Sequence, residues 1–133
     1  MKDETRIWIS YADENLDVSA LSMDHGHLNA CLQNAQQAVE KYLKAVIIEH
    51  DLPFLRTHSV RELVGALADH DITPPISEDE MDLMDTIYIP SKYPVYSALP
   101  QAMPDQAICY EALNIARRAR DFVYSIMKSG EVC

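Results

Sequence analysis

Residues able to do chemistry gather in three short stretches of this chain. The first is "QNAQQAVEKYLKAV", residues 33–46, where Gln33, Gln37, Glu40, Lys41 and Lys44 stand among small and apolar neighbours. At about 100° per residue these five share one strip of a helix. Lys41 and Lys44 lie at i, i+3 and repel mildly, a repulsion that a bound phosphate would relieve, as would Gln37 and Glu40 beside them. Helical periodicity by itself favours the plainer reading, a strip turned to solvent as on any amphipathic helix. The second stretch is "RTHS", residues 56–59. Arg56 and the free amides of a helix start could hold an anion there. The commoner role is a cap, with Thr57 or Ser59 satisfying those amides and His58 packed at the joint. The third is "SKYPVY", residues 91–96. Lys92 could meet a phosphate while Tyr93 stacks on a base; alternatively the tyrosines close the bottom of a core.

Two further groups carry less. Arg117, Arg118 and Arg120 look like a basic patch, but on a helix they divide between two flanks and read as solvated side chains with packed stems. His27 and Cys31 have metal-ligand spacing at i, i+4, and His25 is near, but a zinc site needs three or four ligands and no further partner stands at a useful interval. There is no Gly-rich phosphate loop and no nucleophile elbow. No metal and no cofactor is expected.

The elements that must position these residues are helical. Glycine occurs only three times, strand-like alternation is scarce, and apolar residues recur at helical intervals. The spacing predicts a first helix over about 4–22 with Trp8, Ala12, Leu16 and Ala20 inward, then a turn at "MDHGH" with Asp24 as a cap for the next helix. A second helix, about 27–50, has so broad an apolar face (Leu28, Leu32, Ala35, Val39, Tyr42, Leu43, Val46 and Ile47, widened by Cys31 and Ala38) that it must pack on several neighbours. A third is expected over about 58–70 with Val60, Leu63, Val64 and Leu67 inward. Ser77 and Glu80 form a capping box opening a short helix toward Tyr88. Residues 89–103, with three prolines, read as a long loop. Pro104 opens a last helix to about 128, with Ile108, Ala112, Ile115, Ala119, Phe122, Val123 and Ile126 inward. The expected fold is all-α, an up-and-down bundle of four long helices and a short one.

The 133 residues fit one domain, 1–133, with its core at about 4–128. The net charge of −10 speaks against broad nucleic-acid binding, which rests on lysine and arginine neutralising phosphates. The charge is uneven: residues 1–30 carry −4, residues 69–85 carry −7, and the remainder carries +1. A local basic surface is therefore compatible with an acidic chain. The charged start resembles no signal peptide, no apolar run approaches the roughly 20 residues of a membrane span, and three cysteines suit reduced thiols. A cytoplasmic protein without a membrane role is expected.

Three blocks in order, "NAQQAVEKYLKAVI", "LRTHSVRELV" and "YIPSKYPVY", resemble the HEPN domain family over about residues 4–128. The most specific part is the Gln-Ala-x-Glu-Lys-x-x-Lys-Ala pattern at 37–45, with Thr57–His58 and Lys92-Tyr93-Pro94. The resemblance implies a bundle of four or five helices that dimerises, often encoded beside a minimal nucleotidyltransferase in a toxin–antitoxin-like module. Many members of that family are metal-independent ribonucleases with an Arg, four to six residues, then a His. No Arg here has a His at that interval; Arg61 and His70 are nine apart. The leading expectation is therefore a dimeric module that binds a nucleotide or RNA through Lys41, Lys44, His58, Lys92 and Tyr93. In that reading the lysines meet phosphate, Tyr93 stacks and His58 hydrogen-bonds. The alternatives are an endoribonuclease with His58 as acid or base, and a structural subunit that holds a nucleotidyltransferase without a ligand of its own.

Overall fold

A computed structural model describes the backbone of residues 1–92 and 104–132 and the side chains of residues 1–88 and 104–128. Five helices make up the described chain: α1, Asp3–Asp24; α2, Leu28–Glu49; α3, Val60–Ala68; α4, Glu78–Lys92; and α5, Gln106–Val132. No strand occurs among the described residues, and the architecture is the all-α bundle expected from periodicity. α3, with nine residues, is the shortest of these helices. The fourth helix continues past Tyr88 to Lys92 and so takes the first part of the expected long loop. The rest of that loop, Tyr93 included, lies outside the described residues.

α2 is the central element and packs on each of the other four helices. Its broad face explains this. Cys31, Ala35, Ala38, Val39, Tyr42, Leu43, Val46 and Ile47 are all fully buried, and the alanines let neighbouring helices come close. α3 buries the four residues expected of it, Val60, Leu63, Val64 and Leu67. α1 differs from its expected stripe by a small rotation. Thr5, Ile9, Ala12, Leu16 and Ser19 are buried, whereas Trp8 and Ala20 are only partly so. The two small polar residues are admitted because their hydroxyls find partners. Thr5 donates to Glu49 at 2.9 Å, and Ser19 donates to the Cys31 carbonyl at 2.8 Å. Asp24 does not cap α2 but ends α1; Gly26, at φ +75, makes the turn, and His27 precedes α2 without a side-chain cap.

The later helix starts are capped by their own sequence. Ser77 and Glu80 form the expected box at α4, Ser77 N–H to Glu80 Oε1 at 2.9 Å and Glu80 N–H to Ser77 Oγ at 3.2 Å. Asp105, rather than Pro104, sets the start of α5, accepting from Ile108 N–H at 2.7 Å. Arg118 is no idle member of a basic patch: it clamps α5 to the start of α4 by an ion pair to Glu80 and a 2.8 Å bond to the Pro75 carbonyl. On the other side of α2, Asp13 joins three helices. Tyr42 and Tyr124 each donate a phenolic hydrogen to it, one per carboxylate oxygen, at 2.5 Å. Burial and the Asp13 carboxylate push the Tyr124 phenol up to about 12, and the same two causes raise Tyr42 further.

Candidate functional site

α2 carries a polar strip on a helix that has almost no wet face. The expectation of a solvent-facing strip is overturned: Gln36, Glu40 and Lys44 are buried, and Gln33, Gln37 and Lys41 are half-buried. Because α2 is enclosed by four helices, even its polar flank lies under α1 and the α2–α3 connection. Buried polar groups need partners, and here they partner one another around Glu40.

Glu40 is only 3% exposed and accepts four hydrogen bonds. Its Oε1 receives Lys44 Nζ at 2.7 Å and His58 Nδ1 at 2.9 Å; its Oε2 receives Gln36 Nε2 at 3.2 Å and Gln37 Nε2 at 3.3 Å. Gln36 Nε2 also donates to the His58 carbonyl at 3.2 Å, which pins the connection before α3. Lys44, whose side chain is 8% exposed, sits by the rings of Trp8 and Phe54 at 5.7 and 5.8 Å from their centroids. Its charge is thus met by a carboxylate and two aromatic faces.

His58 is held differently. Its side chain is 57% exposed, and its ring stacks on Tyr88 of α4 at 4.7 Å between centroids and 12° between planes. The position of Tyr88 follows from a contact one turn earlier on α4. Asp85 reaches the start of α3, where it accepts from Ser59 Oγ at 2.8 Å and from Val60 N–H at 2.6 Å. The start of α3 is therefore capped twice, by Ser59, which accepts from Glu62 N–H at 3.2 Å, and by Asp85. The amides that a soluble anion would need are already taken, so the anion-binding reading of residues 56–59 gives way to the capping one.

The consequence for chemistry lies in the imidazole. A carboxylate accepting at Nδ1 requires the proton on Nδ1. Nε2 is then the ring nitrogen left for a second partner, an acceptor when the ring is neutral and a donor when it is protonated. A carboxylate-backed, aromatic-stacked histidine with its Nε2 available can hydrogen-bond a hydroxyl, a phosphate or a base edge, and can move a proton. Arg56, two residues earlier, is exposed and without a side-chain partner among the described residues.

Three of the five residues expected to bind a ligand can be placed. His58 is at the centre of the cluster. Lys44 is committed to Glu40. Lys41 meets other groups, donating to Asn15 at 2.7 Å and standing 6.0 Å from the Tyr11 ring, so the two lysines do not present a joint phosphate clamp. Lys92 ends α4, with its side chain outside the described residues, as is all of Tyr93. Sequence reasoning passed over Glu40 as the hub and missed Gln36, Tyr88 and Asp85. The available signal was the i, i+4, i+8 series Gln36, Glu40, Lys44, which lies on the flank of the Val39–Leu43 face rather than opposite it. Among the described residues no group of His, Cys, Asp and Glu side chains is arranged to hold a metal ion.

The HEPN domain family model matches residues 5–127, nearly the whole of the described bundle. The chain belongs to the HEPN domain family. Two solved structures share its fold over most of their length. The crystal structure of TT1696 from Thermus thermophilus is 28% identical, with a TM-score of 0.73, covering 93% of this chain and 98% of that one. That of ST0689, an archaeal HEPN homologue, is 24% identical, with a TM-score of 0.67, covering 94% and 98%. The comparison with curated proteins found no match. In this HEPN domain no helix is long and apolar enough to cross a membrane, among the described residues.

Proposed function

We propose that this HEPN domain is a nucleotide- or RNA-binding module that acts as a dimer, with His58 at the centre of its site. The observation that carries the reading is the pairing of a Glu40-anchored Nδ1 with a Tyr88-stacked ring, which leaves Nε2 uncommitted among the described residues. Holding an exposed imidazole in one tautomer and one orientation costs side-chain entropy, and buries a carboxylate to do so. Such an arrangement suits a ligand that needs both a ring to lie against and a hydrogen bond to one nitrogen. A base with its sugar or phosphate fits this description. Arg56, two residues before His58 in the chain, supplies an exposed cation, and Lys92 and Tyr93 follow Tyr88 by four and five residues in the chain. With −10 overall, the chain suits a mononucleotide or a short RNA end better than a long polyanion.

Equilibrium binding of ATP, GTP and a short RNA to wild type, His58→Ala and Tyr88→Ala tests the proposal. Loss of a stacking partner is worth about 1–3 kcal/mol, or roughly 5- to 150-fold in affinity, and a weakening in that range is expected. Absence of binding by all three ligands sinks it. The dimer is supported by exposed apolar residues on α1, Ile7, Tyr11, Val18 and Leu21, whose intervals of four, seven and three keep them on one side of the helix, with Glu14 between the two pairs. Light scattering on the purified chain gives the oligomeric state. Pairing with a small nucleotidyltransferase, in a toxin–antitoxin-like module, belongs to the same proposal; its test is whether the neighbouring gene encodes such an enzyme, and an isolated gene counts against it.

The second reading is RNA cleavage with His58 as acid or base. It is favoured by the Glu40 contact, because a carboxylate behind a histidine stabilises the protonated ring during proton transfer. Equal RNA cleavage by wild type and His58→Ala removes His58 from any such mechanism.

A further inference from the structure

A second concavity shares no residue with the Glu40 cluster. It is an open-sided groove of about 500 Å³ between the first half of α1 and the last turns of α5. Its floor is apolar: Ile9 and Met127 line it, and both are buried. Its rim carries two exposed cations, Arg6 and Lys128, and the Ser10 hydroxyl. Neither cation has a side-chain hydrogen bond or ion pair among the described residues. Asp13, the acid among the described residues that line the groove, accepts at each carboxylate oxygen from a phenol, that of Tyr42 or that of Tyr124.

The contrast with the rest of the surface is chemical. In a chain of net charge −10, several cations meet acids: Arg61 pairs with Asp82, Arg118 with Glu80 and Arg120 with Asp121, whereas Arg56 is, like Arg6 and Lys128, exposed without a side-chain partner among the described residues. In the groove two cations stand beside an apolar floor, and neither is paired with an acid among the described residues. Complementarity to this groove requires a negative head at Arg6 and Lys128 and an apolar body along Ile9, Met127 and the Tyr124 ring. We propose that the α1–α5 groove binds a single-chain amphiphile with an anionic head, such as a medium-chain carboxylate. At about 30 Å³ per water-sized group, 500 Å³ has room for about 16 heavy atoms, enough for the roughly 14 of a twelve-carbon acid. The acid is bound, not transformed; no group in the groove is placed to react with it.

Calorimetric titration with dodecanoate, dodecanol and dodecyltrimethylammonium, each kept as monomers, tests this. Dodecanoate is expected to bind at least tenfold more tightly than either of the others. Arg6→Gln/Lys128→Gln is expected to erase that preference with an unchanged melting temperature, since both residues are exposed. Three results overturn the proposal: no dodecanoate binding up to millimolar concentration, equal binding of the cationic amphiphile, or dodecanoate binding untouched in the double variant. Sedimentation with phosphatidylglycerol vesicles separates a free amphiphile from a membrane surface. Binding to vesicles without binding of monomeric dodecanoate also overturns it.

Discussion

Replacing Glu40 with Gln removes one negative charge and almost no volume, and its cost follows from the position of Lys44. The Lys44 side chain is 8% exposed, and its nearest charge is Glu40 Oε1 at 2.7 Å. Removing one partner of a buried pair costs about 3–5 kcal/mol, because the remaining charge stays out of water. The Trp8 and Phe54 rings offset part of that, so the lower end, about 3 kcal/mol, is expected. Unfolding entropy of about 2.1 cal/mol/K per residue over 133 residues is about 0.28 kcal/mol/K, so the midpoint should fall by about 11 °C. Thermal unfolding followed by circular dichroism reads this directly. Glu40→Gln/Lys44→Met removes the stranded charge and should recover at least half of the loss, since an apolar replacement of a buried pair is often neutral. A single variant within about 3 °C of wild type, or a double variant less stable than the single, refutes the reasoning that Lys44 depends on Glu40.

Further outcomes follow from other contacts. Asp85→Ala strips α3 of its second cap and should cost about 1–2 kcal/mol in urea unfolding, with the same m-value as wild type. The raised Tyr124 phenol means that the folded state keeps a proton that the unfolded chain gives up near 10. Its contribution is whole below pH 10 and is lost as pH rises to about 12, and Asp13→Asn should bring the phenolate absorbance step down toward 10. Burial, with Cys31 beside it, pushes the Cys109 thiol up to about 12. In Cys133→Ser, thiol titration at pH 8 should therefore stay slow until the chain is unfolded.

Much of the fold was legible because helical burial is written in residue type. The stripe of α3 and the breadth of the α2 face follow from aliphatic spacing, and the Ser77–Glu80 box from two residues three apart. The rotation of α1 was not legible, since periodicity weighs Trp8 as core and Thr5 as surface. Only the partner atoms on Glu49 make Thr5 a buried residue. The site was legible in part. His58 was singled out, but Glu40 and Lys44 read as surface because polarity stood for exposure. That inference fails for a helix covered on all sides, where a polar residue survives burial by pairing with others of its kind. Tyr88 and Asp85 join the site through the α3–α4 contact, a tertiary relation with no local signal.

The central claim is that Glu40 holds His58 with Nε2 available to a nucleotide or RNA. Long-range proton–nitrogen correlation spectra of the His58 ring, recorded with and without a short RNA, test it most directly. The free protein should show the proton on Nδ1, and added RNA should shift Nε2 of His58 while the same titration of Tyr88→Ala leaves it weakly affected. A free protein with the proton on Nε2, or a His58 ring unmoved at saturating RNA and nucleotide, contradicts the account.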